Sequence, residues 1–335
     1  MRKKRTAILA GVLGLALMLA GCGGGSAPQK TEEAASEASK KQVVIILPMD
    51  HLAMNQVRDA MTETLTAKYG DGITIEVKNA NGDQTMINSI MQEAVSGKPD
   101  LLLPIATGTA QIAATTTSEI PIVFSAVTDP VEAGLCPSWE EAGANVTGVS
   151  DQTDVASIID FALELVPGAK TFGLVYSSSE VNSGVQIEQV KKVLEEKGLF
   201  YKEGTITNTS ELQQVVGNLA PDVDVFYAPT DNNVATAMPT FQQVANKAGK
   251  PIFPGAGTMV ASGGTGTVGL DYSALGRQTA EMAIRILDGQ SVAENPPEKV
   301  TDLLKLLNED QVTALGIEVP EALKKEVTFI KTDEQ

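Results

Sequence analysis

The fold of this chain is decided by the stretch KPDLLLPIATGTAQIAATTTSEIPIVFSAVTDP, residues 98–130. Two short apolar runs, Leu101–Ile105 and Ile122–Ala126, have the length and character of strands buried on both faces. A proline shortly before each run marks the entry into the strand. The segment between them, from about Gly108 to Thr117, predicts a helix. Strand, helix and strand in this order predict a parallel βαβ unit, because parallel strands need a crossover connection.

The same alternation continues on both sides of this unit. In the first half, the other predicted strands are Val43–Leu47, Ile73–Asn79 and Val146–Val149, and the other predicted helices are Leu52–Tyr69 and Gln84–Ser96. In the second half, the predicted strands are Thr171–Tyr176, Phe200–Thr205, Val223–Ala228, Ile252–Phe253 and Thr267–Gly269. The helices predicted there are Asp154–Leu165, Ser183–Lys197, Glu211–Leu219, Ala235–Ala248 and Ser273–Leu287. We therefore expect an α/β fold of two doubly wound, Rossmann-like lobes with a hinged cleft between them.

Small polar residues follow the strands, where open α/β sheets bind their ligands. These loops are Ala106–Thr109, Ser125–Asp129, Ser150–Gln152, Ser177–Ser179 and Thr230–Asn232. Each loop by itself is explained equally well as the N-cap of a helix. Five such loops at equivalent strand ends, divided between two lobes, favour a polar ligand-binding cleft.

The first residues have the pattern of an exported lipoprotein. Basic residues at positions 2–5 precede an apolar run, Ala7–Ala20, which is shorter than the ~20 residues that span a membrane. The run ends in Leu19-Ala20-Gly21-Cys22, which looks like the bacterial lipobox, whose cysteine is acylated with chains such as palmitate. The alternative is an ordinary secretory signal with an incidental cysteine. We expect residues 1–21 to be a signal peptide, residues 22–42 a flexible tether, and Cys22 a lipid anchor to the outer face of the cell membrane.

Composition argues against several classes of function. A formal net charge of −17 repels phosphate backbones, so we expect no nucleic-acid partner. His51 is the only histidine, and Cys136 is the only cysteine besides Cys22, so neither a catalytic triad nor a His/Cys metal site can be assembled. No Gly-x-Gly-x-x-Gly motif follows the first strand. We expect a protein that is not an enzyme and that binds no metal or cofactor.

Five stretches resemble the ABC-transporter substrate-binding family that includes tryptophan- and tyrosine-binding lipoproteins of Gram-positive bacteria. They are Ile105–Gln111, Pro121–Pro130, Thr147–Asp151, Thr230–Asn232 and Gly269–Tyr272. The resemblance covers nearly the whole folded region and implies the type I periplasmic-binding-protein fold, whose lobes close on ligand. It also implies an aromatic amino acid as cargo and an ABC permease as partner. We expect a monomer.

One stretch, residues 47–52, departs from the Glu-His-Pro-Ala-Leu-type sequence that the family usually has there. Asp50 and His51 keep the charged pair, but Leu52 replaces the proline.

The resemblance also implies how the loops would hold an α-amino acid. Its carboxylate would meet hydroxyls and N–H groups at helix N-termini, with Thr107, Thr109, Ser178 and Ser179 as candidates. Its ammonium would meet Asp231 or Asp151. Asp231 also stands directly before a predicted helix, so its other interpretation is an N-cap. Candidates for the wall around the aromatic ring are Tyr176, Phe124 and Tyr272. The full set of expected ligand-binding residues is His51, Thr107, Gly108, Thr109, Ser125, Asp129, Asp151, Tyr176, Ser178, Ser179, Asp231, Asn232, Asp271 and Tyr272.

The sequence thus predicts one organisation and one function, with two alternatives. The first lobe is expected to comprise residues 43–149 and 272–297, and the second residues 150–271 and 298–331. The expected function is that of a lipid-anchored solute-binding protein of an ABC importer, which binds a small amino acid such as tryptophan, tyrosine or phenylalanine. The alternatives are a ligand-sensing lipoprotein that feeds no transporter and a lipid-anchored enzyme on the same scaffold.

Overall fold

The computed structural model describes residues 40–301 and 303–333. The predicted signal peptide and Cys22 lie outside the described residues. The strands, in chain order, are β1 (Lys41–Leu47), β2 (Ile73–Asn79), β3 (Leu101–Pro104), β4 (Ile122–Ser125), β5 (Val146–Ser150), β6 (Thr171–Ser177), β7 (Phe200–Ile206), β8 (Val225–Ala228), β9 (Ile252–Pro254), β10 (Gly266–Leu270), β11 (Glu298–Lys299), β12 (Leu303–Asn308) and β13 (Thr328–Ile330). The α-helices are α1 (Leu52–Tyr69), α2 (Gln84–Ser96), α3 (Thr107–Thr116), α4 (Val155–Leu165), α5 (Val181–Glu196), α6 (Leu212–Leu219), α7 (Asn232–Thr236), α8 (Met238–Lys247), α9 (Gly257–Ala261), α10 (Tyr272–Leu287) and α11 (Glu309–Leu315). Within this described part of the chain, no helix is long and apolar enough to cross a membrane.

Strand β1 shows why apolar runs without polar alternation form the core. Successive side chains of a strand point to opposite faces of the sheet. Val43, Ile45 and Leu47 pack into one hydrophobic cluster, and Val44 and Ile46 pack into another. Both faces of the sheet are therefore covered, as a parallel sheet requires.

The chain has the expected α/β fold with two lobes. The first lobe is built on a six-stranded parallel sheet with the order β11-β5-β4-β3-β1-β2. The second lobe is built on a four-stranded parallel sheet, β7-β6-β8-β9, and a three-stranded sheet, β10-β12-β13, in which β10 and β12 are antiparallel. The carboxyl ends of β3, β4, β5, β6 and β8 carry the five polar loops that the sequence analysis singled out.

The chain passes between the two sets of sheets three times. It leaves the first lobe after β5, returns between β10 and α10, and leaves again between β11 and β12. In the last passage, Glu298 and Lys299 pair with Val149 and Ser150, so both residues extend the sheet of the first lobe. The passage therefore lies two residues beyond the expected boundary at residue 297.

Several elements differ from the sequence-based expectation, and α9, β11, β12, α11 and β13 were not predicted at all. Strand β1 begins at Lys41, so the last two residues of the expected tether belong to the sheet. Helix α5 begins at Val181, two residues earlier than expected. The single helix expected over Ala235–Ala248 is two helices, α7 and α8, with Pro239 in the first turn of α8. Proline has no N–H to continue the preceding helix and is favoured in the first turn of a new one.

Helices α1 and α10 pack with their backbones close together at Gly276. A Cβ atom at this position would lie 2.6 Å from the carbonyl oxygen of Val57 and 2.9 Å from the Cβ of Ala60. Glycine is therefore required here by packing, although it is a poor helix former. Gly217 in α6 is the opposite case, because a Cβ there would meet nothing within 4 Å.

We expect Gly276→Ala to destabilise the protein and Gly217→Ala to stabilise it. The first change forces α1 and α10 apart, and overpacking of this kind costs about 1–3 kcal/mol. The second gains helix propensity without a clash, worth about 0.5–1 kcal/mol. Chemical denaturation of both variants measures the two changes in unfolding free energy. A Gly276→Ala variant as stable as Gly217→Ala would show that the two helices do not pack this tightly.

Candidate functional site

A cavity of about 350 Å³ lies between the two lobes, at the carboxyl ends of their parallel strands. We call it the central cavity. The first lobe contributes His51, Ala53, Met54, Ala106, Thr107, Ala126, Thr128, Asp151 and Tyr272, and the second lobe contributes Asn182, Thr230, Asp231, Asn232, Ala235, Ala256, Thr258 and Met259. A ligand here would contact both lobes.

Two alanines in the first lobe hold strained backbone conformations at the edge of the cavity. Ala106, before α3, has φ +74°, and Ala126, after β4, has φ +55°. Non-glycine residues seldom adopt positive φ, and such strain concentrates at functional sites. Thr107 and Thr128, which follow these alanines closely in the chain, both line the cavity.

Asp151 is the buried charge of the central cavity. It is only 3% exposed, and its carboxylate accepts hydrogen bonds from the Tyr272 hydroxyl at 3.0 Å and from the Thr128 hydroxyl at 3.1 Å. Burial raises the pKa of this carboxyl, and the two hydroxyls offset only part of the shift. No lysine or arginine lines the cavity, and Asp151 forms no ion pair within the described ranges. A cationic group entering the cavity would supply the missing partner.

Asp231 is held very differently, although it also lines the cavity. Its carboxylate accepts from the backbone N–H of Val234 at 2.9 Å and of Ser177 at 2.6 Å, and from the Ser183 hydroxyl at 2.7 Å. The bond to Val234 makes it the N-cap of α7. Both carboxylate oxygens are therefore already engaged by donors of the second lobe.

Direct contacts join the lobes around the cavity. His51 Nε2 lies 3.0 Å from Asn232 Oδ1, and Thr128 Oγ1 lies 3.2 Å from Thr230 Oγ1. The side-chain amide of Asn232 donates to Glu180, so its oxygen is free to accept from His51. Burial lowers the pKa of His51, which favours a neutral ring that carries its proton on Nε2. The lobes are thus closed on one another.

Glu180 lies behind this contact, and sequence reasoning missed it. Its carboxylate accepts from the backbone and side-chain N–H groups of Asn232 and Asn233. Burial, and next the nearby charge of Asp231, raise its pKa to about 8.

Part of the lining of the central cavity is apolar, and the lining also includes a buried hydroxyl that has no partner in the described structure. Met54, Met259, Tyr272 and five alanines form the apolar surface. Thr258, in the first turn of α9, lines the same cavity, and its buried hydroxyl has no hydrogen-bond partner among the described residues. An unpaired buried hydroxyl is costly, which suggests that a ligand satisfies it.

The structure brings six of the expected residues together at the central cavity: His51, Thr107, Asp151, Asp231, Asn232 and Tyr272. Gly108, Thr109 and Ser179 line a second space of about 880 Å³, the outer cavity, which shares Ala106, Asn182 and Asn232 with the central one. Thr109 is buried there, and its hydroxyl has no partner among residues 40–301 and 303–333.

The other five expected residues lie outside both cavities and have local partners. The Ser125 hydroxyl bonds with that of Thr279, and Asp129 accepts from the N–H groups of Val131 and Glu132. Tyr176 donates to Glu203, and the Ser178 hydroxyl bonds to the Ile206 carbonyl. Asp271 caps α10 and pairs with Arg277. Phe124, considered for the aromatic wall, is fully buried in the core of the first lobe.

Sequence reasoning also missed several lining residues: Met54, Thr128, Asn182, Thr230, Thr258 and Met259. Thr128 and Thr230 stand in the loops it singled out, so they could have been chosen with their neighbours. Thr258 and Met259 belong to α9, a five-residue helix after β9 that was not predicted. No group of three or more His, Cys, Asp or Glu residues that could hold a metal occurs in the described ranges.

Comparisons with known proteins agree with this architecture. The model of a family described as ABC transporter substrate-binding protein matches residues 42–331. A tyrosine-binding protein of Clostridioides difficile (strain R20291) is 35% identical over 338 aligned residues, which cover 99% of this chain and 97% of that protein. An ABC domain in complex with L-Trp from Streptococcus pneumonia is 31% identical with a TM-score of 0.84, covering 87% of this chain and 99% of that one.

A third comparison concerns the closure of the lobes. The ligand-free, open structure of a substrate-binding protein with adhesive properties from Clostridium difficile is 35% identical and covers 88% of this chain and all of that one. Its TM-score is only 0.68, although its sequence is more similar than that of the L-Trp complex. That structure is described as open, whereas the lobes of this chain contact each other through His51–Asn232 and Thr128–Thr230.

Because burial raises the pKa of Asp151, we expect the unliganded protein to lose stability as pH rises through that raised pKa. The folded state binds the proton more tightly than the unfolded state, so this contribution is present at acid pH and is lost on ionisation. Asp151→Asn should therefore match the wild type in acid and become relatively more stable toward alkaline pH in thermal unfolding. Asp271→Asn, which changes an exposed helix cap, is the control. A wild type that gains stability over Asp151→Asn with rising pH would contradict the environment described for Asp151.

Proposed function

The chain belongs to the ABC transporter substrate-binding protein family, and on that premise we propose that it binds an aromatic α-amino acid, tyrosine or tryptophan, in the central cavity. The observation that carries the proposal is the buried Asp151 carboxylate, which faces this cavity without a cation among the described residues. The ligands named for two relatives, tyrosine and L-Trp, support the choice of side chain.

In the proposed complex, the ligand ammonium contacts Asp151. The hydroxyls of Thr128 and Tyr272 hold one carboxylate oxygen each, so the group is oriented before the ligand arrives. An ammonium would add the charge-assisted bonds that these neutral donors cannot supply. Asp231 is the second choice, because its oxygens already accept three bonds from its own lobe.

The ligand carboxylate, in this proposal, is bound by hydroxyl and N–H groups. Thr107 begins α3, and Thr258 brings a hydroxyl that has no partner in the described structure. Among the residues that the structure describes, no lysine or arginine lines the cavity to form an ion pair with the carboxylate. N–H groups at a helix N-terminus and free hydroxyls bind anions without one.

The ligand ring would lie in the apolar part of the cavity. Met54 and Met259 come from different lobes, and the flexible, polarisable methionine side chain packs well against aromatic rings. Tyr272 presents a ring whose hydroxyl is fixed on Asp151, so the side chain cannot turn away. This surface favours an aromatic over a small polar side chain.

We also propose that the protein delivers its ligand to an ABC importer from the outer face of the membrane, tethered through Cys22. The family supports an extracytoplasmic substrate-binding role. The pattern of residues 2–22 supports the anchor. Each buried acyl CH₂ adds about 0.8 kcal/mol of membrane affinity, so several chains on one cysteine hold firmly.

For the binding site, we expect Asp151→Asn to fold normally and to bind L-tyrosine and L-tryptophan at least about thirtyfold more weakly than the wild type. The change leaves an ammonium buried without its counter-charge, which costs roughly 2–5 kcal/mol. Calorimetry on the purified protein measures the loss. Asp129→Asn, which removes one carboxylate charge outside both cavities, is the matched control and should bind as the wild type does. Unchanged affinity in Asp151→Asn would move the ammonium site to Asp231.

For the anchor, we expect Cys22→Ser to move the protein from the membrane fraction to the soluble fraction or the medium and to abolish labelling with a palmitate analogue. Cys136→Ala, at the only other cysteine of the chain, should leave both readouts unchanged. A Cys22→Ser protein that stays in the membrane would refute the anchor without touching the binding proposal.

A further inference from the structure

Three consecutive hydrogen bonds connect helix α5 of the second lobe with Asp151 of the first. Gln186 Nε2 donates to Thr230 Oγ1 at 2.9 Å, Thr230 Oγ1 lies 3.2 Å from Thr128 Oγ1, and Thr128 Oγ1 donates to Asp151 Oδ1 at 3.1 Å. All four residues are at least nine-tenths buried. Water therefore competes little with these bonds, and the low local dielectric strengthens them.

The residues at the two ends of this series determine which group donates in each of its hydrogen bonds. Gln186 Oε1 accepts from the backbone N–H of Thr230 at 2.8 Å, so the amide nitrogen is the atom that faces the Thr230 hydroxyl, and it can only donate. An ionised Asp151 can only accept, so Thr128 must donate to it. The Thr230 hydroxyl is then left to donate to Thr128. Each donor points toward Asp151.

The middle bond is the one that depends on closure. Thr230 follows β8 in the second lobe, and Thr128 follows β4 in the first, so separating the lobes breaks this bond and leaves the other two intact. Hydrogen bonds in a chain polarise one another. Closing the lobes therefore makes Thr128 a stronger donor and stabilises the negative charge of Asp151, which an ammonium ligand requires.

We infer that Gln186 is a positioning residue, which acts through Thr230 to couple closure of the lobes to the negative charge on Asp151. The inference rests on the proposed function, in which the ligand ammonium contacts Asp151. Within the described structure, Gln186 lines neither cavity, and it reaches the ligand site through its two hydrogen bonds to Thr230. Its role is to orient the Thr230 hydroxyl.

Other titratable groups surround Asp151, and none of them is substituted in the variants used for the test. Tyr272 donates to its second oxygen, and His51 and Asp231 line the same cavity. Gln152, the residue after Asp151, donates a hydrogen bond to the Asp129 carboxylate and accepts one from the Lys299 ammonium. These groups contribute equally to the wild type and the variants.

The test measures binding of L-tyrosine and L-tryptophan to the full-length protein by calorimetry between about pH 5 and pH 8.5. Thr230→Val keeps the shape and removes the donor to Thr128. We expect it to weaken binding about three- to tenfold where Asp151 is ionised, and the ratio to the wild type to shrink as pH falls. A merely structural defect would give the same ratio at every pH.

Gln186→Glu tests the direction of the series. The introduced carboxylate, once ionised, still accepts from the Thr230 N–H, but it cannot donate to the Thr230 hydroxyl. That hydroxyl then turns away from Thr128 to donate to the new carboxylate. We expect Gln186→Glu to weaken amino-acid binding at least as much as Thr230→Val does. In the double variant there is no hydroxyl to turn, so the two losses should not add.

The matched controls make the same chemical changes at residues that line neither cavity. Thr267→Val removes a buried hydroxyl that bonds to a backbone carbonyl, and Gln311→Glu changes a buried glutamine that accepts from Asn246. Both should bind as the wild type does. This inference alone would be overturned if the wild type binds but the affinities of Thr230→Val and Gln186→Glu, relative to the wild type, do not change with pH. Additive losses of affinity in the double variant would also overturn it. A wild type that binds neither amino acid would overturn the proposed ligand and the inference with it.

Discussion

The burial of the Asp151 carboxylate is the constraint around which the cleft is organised. A carboxylate in a protein interior is tolerated when donors surround it, and here the donors are two hydroxyls rather than a cation. Tyr272 brings one of them from α10, immediately after the chain has returned from the second lobe. Thr128 brings the other from the strained turn after β4. Asp151 itself follows β5, where the chain first leaves the first lobe, so the charge lies among the segments that must move when the lobes open.

The second lobe presents its half of the site on a rigid support. Three buried polar residues on one face of α5 hold the loop after β8: Asn182 donates to the Thr230 carbonyl, Ser183 donates to Asp231, and Gln186 bonds to Thr230 twice. Asp231 in turn caps α7. The loop thus has its backbone and side chains fixed before any ligand binds, which reduces the entropy lost on binding. Because these residues hold the loop after β8, the buried face of α5 is polar where apolar residues would be expected.

The sequence allowed the fold to be predicted, because buried parallel strands and their covering helices leave a strong pattern. Val43–Leu47 and Leu101–Ile105 read as strands from their apolar runs alone, and the loops after them could be named. The choice among polar residues within those loops could not be made. Tyr176 and Thr230 both stand at strand ends, but Tyr176 points to Glu203 and Thr230 points into the cavity. That difference depends on the twist of the strand and on its partners. Asp151 and Asp231 had the same predicted role, and only the donors around each carboxylate distinguish them.

The charges lining the cavity also bear on what it rejects. Two carboxylates, Asp151 and Asp231, line the central cavity, Glu180 lies directly behind, and no lysine or arginine from residues 40–301 and 303–333 lines this space. A zwitterion brings an ammonium that compensates one of these charges, and its carboxylate can use hydroxyl and N–H donors. A keto acid with the same aromatic ring has a carboxylate and no ammonium, so it would add a negative charge to a site that lacks positive ones. Like charges in a buried site cost several kcal/mol. In the proposed complex, the charges of the cavity would therefore select an amino acid over the corresponding keto acid, independently of the aromatic ring that both share.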